Sequence, residues 1–595
     1  MADRKRRGPA SVSNREIAEA LENVGRLLDI QGANTFRVRA YENAAQSVHA
    51  HPTALEKMVA EGADLTELPG IGKDMAGHIA EMVRTGRLRR LDELAEEVPI
   101  TLLELLRLPS TGPKSVRRLW QELGVSTVDD LEKAAREGRV AALKGFGEKK
   151  QQQILAGIES LRRRSGRFKL SDADALIVPL LAHMEEAPGI RKLEVAGSYR
   201  RRRETIGDID LLAVASKPGP VMEHFAAYPG VKEVRQAGET RSSVVLANAR
   251  QVDLRIVPAK SFGAALVYFT GSKSHNIVLR TRAGKGALRV SEYGVFREAD
   301  AKDEGAGRDP WAGEWIAGRT EKDVYASLDL AFIPPEMRED RGEIEAAERG
   351  KLPKLIERRD LRGDLQMHST WSDGRDSIEK MMAACAERGY EYLAVTDHGK
   401  ALPMVRGLDA KRLREQWDEM ERLQDAHPEI RLLRSMEVDI LEDGTLDLED
   451  ALLEKLDVVL VSIHSRFDLP VARQTERVLR ALRHPRVHIL GHPTSRRISG
   501  RDGIAIDLDA VLACAAENRV ALECNSQPDR LDLRDTHLIE ARKRGLKIVI
   551  STDAHSAEDL DLIRYGIDQA RRAWLTRGDV LNTLPAAKLL ASLEK

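Results

Sequence analysis

Gly197-Ser198-Tyr199-Arg200-Arg201-Arg202-Arg203-Glu204-Thr205-Ile206-Gly207-Asp208-Ile209-Asp210-Leu211-Leu212 reads as a Gly-Ser turn, an arginine run, a second glycine, and two aspartates astride one apolar residue at the head of an aliphatic strand. On a strand, Asp208 and Asp210 share a face about 6.6 Å apart at Cα, while Ile209 points into the core. Two carboxylates that close repel each other unless a cation lies between them. An Asp-x-Asp pair alone is most simply a solvated strand edge. The Gly-Ser turn and the arginines change that reading, because together they can hold a metal ion and the triphosphate of a nucleotide.

A third carboxylate is available in Gln251-Val252-Asp253-Leu254-Arg255-Ile256-Val257-Pro258, which reads as a neighbouring strand with Asp253 on its polar face. Three carboxylates around two Mg²⁺ ions would lower the pKa of a primer 3′-hydroxyl and neutralise a leaving pyrophosphate. With its Gly-Ser turn, Gly-Asp-x-Asp strand and distant third Asp, the sequence resembles the family X DNA polymerases, of which polymerase beta is the best known. The resemblance implies that Asp208, Asp210 and Asp253 are catalytic and hold Mg²⁺ or Mn²⁺. It gives Gly197, Ser198, Arg201 and Gly207 to the nucleotide, with Ser198 and Arg201 at its triphosphate.

At 595 residues the chain has room for three or four domains. No apolar run approaches the roughly 20 residues of a membrane span, and no secretory signal is visible. The basic start Arg4-Lys5-Arg6-Arg7 reads as a disordered tail, and Cys385, Cys514 and Cys524 as reduced core residues of a cytoplasmic protein. The net charge of −1 hides an asymmetry: residues 101–290 carry 33 Lys and Arg against 20 Asp and Glu, a balance of +13. A basic middle is the footprint expected of phosphate-backbone binding.

From Asn14 to about Leu94 the pattern is helical. Leu68-Pro69-Gly70-Ile71-Gly72-Lys73 is a helix–hairpin–helix signature, whose backbone N–H groups offer a sequence-independent seat for a DNA phosphate. Leu108-Pro109-Ser110-Thr111-Gly112-Pro113-Lys114 and Leu143-Lys144-Gly145-Phe146-Gly147-Glu148-Lys149 repeat it. Gly70, Gly72, Gly112, Gly145 and Gly147 are thus expected at DNA. The region looks like the lyase and duplex-binding parts of polymerase beta, but His78 stands where that family places its Schiff-base lysine. Imidazole cannot supply that chemistry, so a lyase of that type is not expected. Arg37, Arg39 and Tyr41 read either as a seat for the 5′-phosphate of a gap or as exposed helix residues.

Leu266-Val267-Tyr268-Phe269-Thr270-Gly271-Ser272 reads as strand core on its own. The resemblance instead makes Tyr268, Phe269 and Gly271 line the nucleotide sugar, puts Asn276 near the minor-groove edge of the incoming base, and sets Arg280 against the template. A polar stretch, 338–359, reads as a linker.

Beyond it, one motif repeats: an aliphatic strand ending in a metal-competent residue. Leu365-Gln366-Met367-His368, Tyr392-Leu393-Ala394-Val395-Thr396-Asp397-His398 and Leu432-Leu433-Arg434-Ser435-Met436-Glu437 are the first three. Later strands end at His464, His492, Asn525 and Asp553-Ala554-His555. Aliphatic strands alternating with helices mean a parallel sheet covered on both faces, and a barrel would gather these ends at one point. Imidazole with carboxylate suits Zn²⁺, Mn²⁺ or Fe²⁺. The segment resembles the PHP (polymerase and histidinol phosphatase) domain, a distorted seven-stranded barrel with a metal cluster. That implies ligands His368, Asp373, His398, Glu437, His464, His492, Asp553 and His555, with Mn²⁺ or Zn²⁺ and a 3′→5′ exonuclease, abasic-site or 3′-end-cleaning activity. Gln366 departs from the usual His-x-His and leaves the cluster stoichiometry open. Arg530 reads either as a seat for substrate phosphate or as a surface ion pair.

The expected fold is multidomain α+β and α/β: helical 1–94 and 95–165, a nucleotidyltransferase palm 166–260, a nucleotide-selecting part 261–337, the linker, and a β/α barrel 360–595. The expected partners are gapped or nicked duplex DNA and dNTPs, with no membrane, for a monomer acting at the bacterial nucleoid. The alternatives are a small-molecule nucleotidyltransferase fused to a phosphoesterase, and a non-catalytic scaffold for DNA ends.

Overall fold

The computed structural model describes residue 12 and residues 14–50, 55–68, 70–106, 108, 111–165, 167–248, 250–297, 311–498 and 503–594. The basic start Arg4-Lys5-Arg6-Arg7 and the hairpin residues Pro69, Pro109 and Ser110 fall outside these. The chain divides into two compact units, Met1–Gly166 and Arg167–Lys595.

In the first unit the described residues build helices on one core. Ile17, Leu21, Val24 and Leu28 recur at helical spacing along Asn14–Gln31 and are all buried. The helix Pro113–Leu123 sends Arg117 back to that helix, where its guanidinium donates to the Asp29 and Ile30 carbonyls at 2.6 and 2.5 Å. A cation on terminal carbonyls satisfies acceptors that the helix itself leaves open. Gly72 and Gly112 are the N-caps of Lys73–Thr85 and Pro113–Leu123. Gly70, Gly145 and Gly147 have φ of 76°, 81° and 64°, the left-handed region that favours glycine.

The second unit opens with a five-stranded mixed sheet in the order Ile190–Val195, Ile209–Ala215, Gln251–Ile256, Arg241–Leu246, Val231–Ala237. Ile209–Ala215 and Gln251–Ile256 run parallel, with Asp210 opposite Asp253. Along Gln251–Ile256 burial alternates residue by residue, so Val252, Leu254 and Ile256 reach the core and Asp253 the other face. Helices Leu170–Glu185 and Pro218–Ala226 cover the apolar face.

Phe262–Thr270 is a helix, not the strand that its apolar run suggested. A short apolar stretch buried on most sides has no period to read. The stretch 338–359, expected to be a polar linker, is folded. Arg338 and Glu343 are buried, and Ile344, Ala347 and Leu355 join the core formed by Ala264, Val267, Leu279 and Tyr325. Its charges are satisfied inside, by Arg338 on Glu321 at 2.7 Å and Glu343 on His275 at 2.6 Å.

Seven parallel strands then follow in chain order: Gly363–Asp364, Tyr392–Val395, Arg431–Asp439, Val458–Ser462, Ile489–Leu490, Ala521–Asn525 and Ile548–Ser551. Both faces are apolar, as a covered parallel sheet requires. Tyr392, Ala394, Val458, Leu460 and Ile489 form one core with Leu589 and Leu593 of the helix Ala586–Leu593. Leu393, Val395, Val459 and Val461 face the outer helices. The first strand is shorter than Leu365–His368 suggested, because its link to the last strand is made largely by side chains. Asn582 donates to the Gly363 and Ile550 carbonyls, both at 2.8 Å, and the Asp364 carboxylate accepts from Thr552 N and Oγ1. His368 N then donates to Ala554 O at 2.8 Å and Asp553 N to Gln366 O at 3.0 Å.

Sheet and barrel share contacts within this unit. Leu531 and Tyr565 of the barrel sit in the sheet's core, and Tyr565 donates to Asp174 at 2.7 Å. Arg496 pairs with Glu204 at 2.6 Å and Arg202 with Asp568 at 2.7 Å. No helix among the described residues is long and apolar enough to cross a membrane. Cys385, Cys514 and Cys524 are buried free thiols.

Candidate active sites

The first site lies at the edge of the mixed sheet. Gly197 begins a short helical turn, Gly197–Arg200, at φ 64°, and a Cβ there would lie 2.6 Å from Asp210 Oδ2. Only glycine lets the loop pass that close to the carboxylate. Asp208 is exposed, Asp210 half-buried, and Asp253 accepts hydrogen bonds from Ser243 Oγ and from Gln251 Nε2. Burial, followed by the Asp208 and Asp253 charges, pushes Asp210 up to about 7.

A cavity of about 480 Å³ adjoins these carboxylates and is lined by Gly197, Ser198, Arg201, Asp208, Asp210, Tyr268, Phe269, Gly271, Asn276 and Arg280. Arg167, Thr270 and Lys273 also line it. Gly207 and Asp253 sit beside it rather than in its wall. Asn276 donates to Tyr268 O at 2.7 Å, tying the two helices of the pocket together. The arginine run does not converge on the cavity. Arg200 forms a two-pronged pair with Glu321 at 2.8 and 2.7 Å, Arg202 goes to Asp568, and Arg203 to Glu339. Of the four, Arg201 lines the pocket.

The second site is at the C-terminal ends of the barrel strands, in a cavity of about 610 Å³. Glu437, fully buried at the end of Arg431–Asp439, is its hub. His492 Nε2 lies 2.9 Å and His464 Nε2 3.3 Å from its Oε1; His398 Nδ1 lies 3.2 Å and His368 Nε2 3.6 Å from its Oε2. His368 also meets Asp553 at 3.0 Å, and Asp373 lies 3.7 Å from His398 and 3.4 Å from His555. All eight expected ligands are therefore brought together. Two groups within them, His368-Asp373-His398-His555 and His398-Glu437-His464, have donor atoms within 4.8 Å of one another.

The residues fit divalent ions. His368 and His492 each bury an Nδ1 that has no hydrogen-bond partner, as does Gln366 Oε1. Orphaned lone pairs of this kind are expensive unless a ligand satisfies them. Gln366 occupies the cluster's edge, donating to Glu437 at 3.2 Å, and so offers an oxygen rather than an imidazole. Burial opposes charge on Glu437, but the His464 and His398 charges hold its carboxyl well below the usual range. Burial takes His398 down to about 4, whereas Glu437 and Asp439 together outweigh burial at His464 and push it up to about 10.

Four known families match parts of the chain. A helix-hairpin-helix domain covers residues 12–88 and a SAM-like helix-hairpin-helix tandem residues 102–160. The DNA polymerase beta thumb covers 265–339 and the PHP domain 364–527. The chain is 37% identical over 583 residues, 98% of its own length and 99% of the relative's, to the DNA polymerase/3'-5' exonuclease PolX of Bacillus subtilis (strain 168). This chain belongs to the family X DNA polymerases. DNA polymerase lambda of Rattus norvegicus is 25% identical over 347 residues, 55% of this chain and 56% of the relative. A probable phosphatase of Thermoanaerobacter sp. (strain X514) is 29% identical over 209 residues, 33% of this chain and 80% of the relative.

This family X polymerase carries its polymerase and PHP domains in one chain, and both domain types are metal-dependent. Several residues of its sites had no local signal in the sequence. Ser243, Arg167 and Lys273 at the first site, and Arg375, Arg497 and Asp439 at the second, are named by packing alone. Glu523, inside the strand Ala521–Asn525, is fully buried, accepts from His492 N and Ser551 Oγ, and is pushed well above the carboxylate range, first by burial and then by Asp553. Arg530 lies inside the barrel cavity, 3.8 Å from Asp553, rather than on the surface.

The N-terminal unit has its own cavity, about 580 Å³, lined by Arg37, Tyr41, Lys73, His78, Arg89 and Arg90 among others. His78 Nε2 lies 3.0 Å from the buried Tyr41 hydroxyl, and burial lowers its pKa, which keeps the ring neutral.

The Asp210 shift has a thermodynamic consequence. A carboxyl raised in the folded state binds its proton more tightly than in the unfolded chain, so stability falls as pH rises through the range from about 4 to about 7. Asp210→Asn is therefore expected to raise the Tm of metal-free protein at pH 8, with the gain shrinking below pH 7 and vanishing near pH 4. Differential scanning calorimetry in chelator across that range tests this; a pH-independent shift would exclude the ionisation of Asp210 as its cause.

Proposed function

We propose that this polymerase fills short gaps in duplex DNA during repair, and that its PHP barrel removes nucleotides or blocking groups from DNA 3′ ends or cuts at abasic sites. The observation that carries the first half is the register of Asp210 against Asp253, next to a pocket that holds Ser198, Arg201 and Asn276. Asp208, Asp210 and Asp253 would hold Mg²⁺ or Mn²⁺, which when bound lowers the pKa of the attacking hydroxyl and shields the triphosphate.

Ser198 and Arg201 orient the triphosphate; Tyr268, Phe269 and Gly271 pack on the sugar; Asn276 reaches the base edge and Arg280 the template. Excess positive charge in residues 101–290 and the glycine turns at Gly70, Gly72, Gly112, Gly145 and Gly147 favour the duplex backbone, with Arg37 at the 5′ side of the gap. In the barrel, His368, Asp373, His398, Glu437, His464, His492, Asp553 and His555 would hold Mn²⁺ or Zn²⁺, and Arg530 the substrate phosphate. We place the domains at 1–94, 95–165, 166–260, 261–337 and 360–595, in a monomer of the bacterial nucleoid.

The test uses a duplex with a one-nucleotide gap and a labelled primer, in Mg²⁺, in Mn²⁺ and in chelator, over a range of salt. Extension by one nucleotide in either ion, none in chelator, and affinity that falls steeply with salt are expected. No extension, or salt-insensitive binding, would point instead to a small-molecule nucleotidyltransferase.

A further inference from the structure

Arg572 ends the barrel helix Ile563–Arg572, yet its guanidinium is buried against the polymerase part. Its Nη1 donates to the Arg201 carbonyl at 2.6 Å and to Glu339 Oε1 at 3.1 Å; its Nη2 donates to Asp535 at 2.6 Å. Glu339 Oε1 also receives Arg201 Nε at 3.0 Å, and Oε2 receives Arg203 at 3.3 Å. Arg201 Nη1 is held by Thr270 O at 2.5 Å. Two of Arg201's three nitrogens are thus committed to the protein. Its Nη2 has no hydrogen-bond partner among the described residues, in a guanidinium that lines the nucleotide cavity.

One carboxylate, Glu339, therefore serves three arginines. A carboxylate shared in this way places Arg201 without cancelling its charge, because Arg572 and Arg203 balance it. Asp535, which also pairs with Arg341 at 3.1 Å, fixes Arg572 from the barrel side. Neither Arg572 nor Asp535 lines the barrel cavity.

We propose that Arg572 is a positioning residue of the polymerase site, contributed by the PHP barrel: it holds the Arg201 backbone and balances Glu339, so that the Arg201 guanidinium is presented to the triphosphate of the incoming nucleotide. The proposal rests on the reading of Arg201 as a triphosphate ligand. Without Arg572, Glu339 is left with one fewer compensating charge, draws Arg201 inward and weakens the local attraction for an anion, while the Arg201 carbonyl loses a buried donor. The loss falls on nucleotide binding rather than on the chemical step.

The experiment is single-nucleotide insertion into a one-nucleotide gap by the full chain, comparing wild type with Arg201→Gln, Arg572→Gln, Arg572→Lys and Arg572→Gln/Glu339→Gln. Trimming of a labelled 3′ end by the same samples serves as the control for folding. Arg572→Gln is expected to raise KM for the dNTP about tenfold with kcat within about twofold and trimming unchanged. Arg572→Lys, which restores charge but not the planar fork, is expected to recover about half of that loss on a logarithmic scale. Neutralising Glu339 in the Arg572→Gln background should also lower KM again.

If Arg201→Gln raises KM and neither Arg572 variant does, the proposal fails while the reading of Arg201 stands. If Arg201→Gln leaves KM unchanged, that reading fails and takes the proposal with it. Equal loss of extension and trimming in both Arg572 variants, with no rescue from Glu339→Gln, would show a purely structural ion pair and overturn it.

Discussion

Primer extension is expected to fall by at least about a thousandfold when Asp208 and Asp210 are both replaced by Ala, while trimming by the barrel continues. The magnitude follows from what the pair contributes. Asp210 faces Asp253 across adjacent parallel strands and lies 2.6 Å from where a side chain on Gly197 would begin. The carboxylates are thus crowded by the backbone; burial first and the Asp208 and Asp253 charges second raise Asp210, Arg255 and Arg201 offset part of this, and a proton or a bound cation relieves the rest. Taking two of the three away removes the charge that seats a divalent ion beside the triphosphate pocket, and among the described residues no other acid lines that cavity. Gel assays on a gapped primer read both activities in one lane. Extension that survived within about tenfold of wild type would mean that the nucleotidyl-transfer site lies elsewhere.

Glu437→Gln should do the reverse. Four imidazoles lie within 3.6 Å of this one side chain, and its Oε1 also accepts from Gln366. An amide cannot present two anionic oxygens, and its NH₂ would face ring nitrogens and the Gln366 amide group. Bound metal, measured by elemental analysis of the purified protein, is expected to drop from its wild-type content, and 3′ trimming to fall about a thousandfold, with gap filling intact. Full metal content together with full trimming would remove Glu437 from the centre of the site.

These two carboxylate centres were the most legible part of the chain, because each is announced locally. Asp208 and Asp210 stand at the head of one aliphatic strand, and most ligands of the barrel end such a run, with Asp373 lying just past the first. The fold class followed from the same runs, since near-continuous aliphatic strands between helices admit little besides a covered parallel sheet. What escaped was set by partners far away in sequence. The arginine run looked like one anion-binding surface, yet Arg200, Arg202 and Arg203 are matched by Glu321, Asp568 and Glu339, over a hundred residues on in each case. The 338–359 stretch looked like a linker for the same reason: its charges read as solvated until Arg338 and Glu343 find Glu321 and His275 inside the fold. Tyr268 and Phe269 lay in a run too short and too apolar to show a period.

The seam of the barrel bears on how the PHP site is held together. Its first and last strands meet through Asn582, the Asp364 carboxylate and a few backbone bonds, where the other strands share regular ladders. His368 stands on one side of that seam, and Asp553 with His555 on the other. An ion coordinated from both sides would work as a clasp on the least stitched joint of the circle, so that closing the ring and building the catalytic centre become a single event.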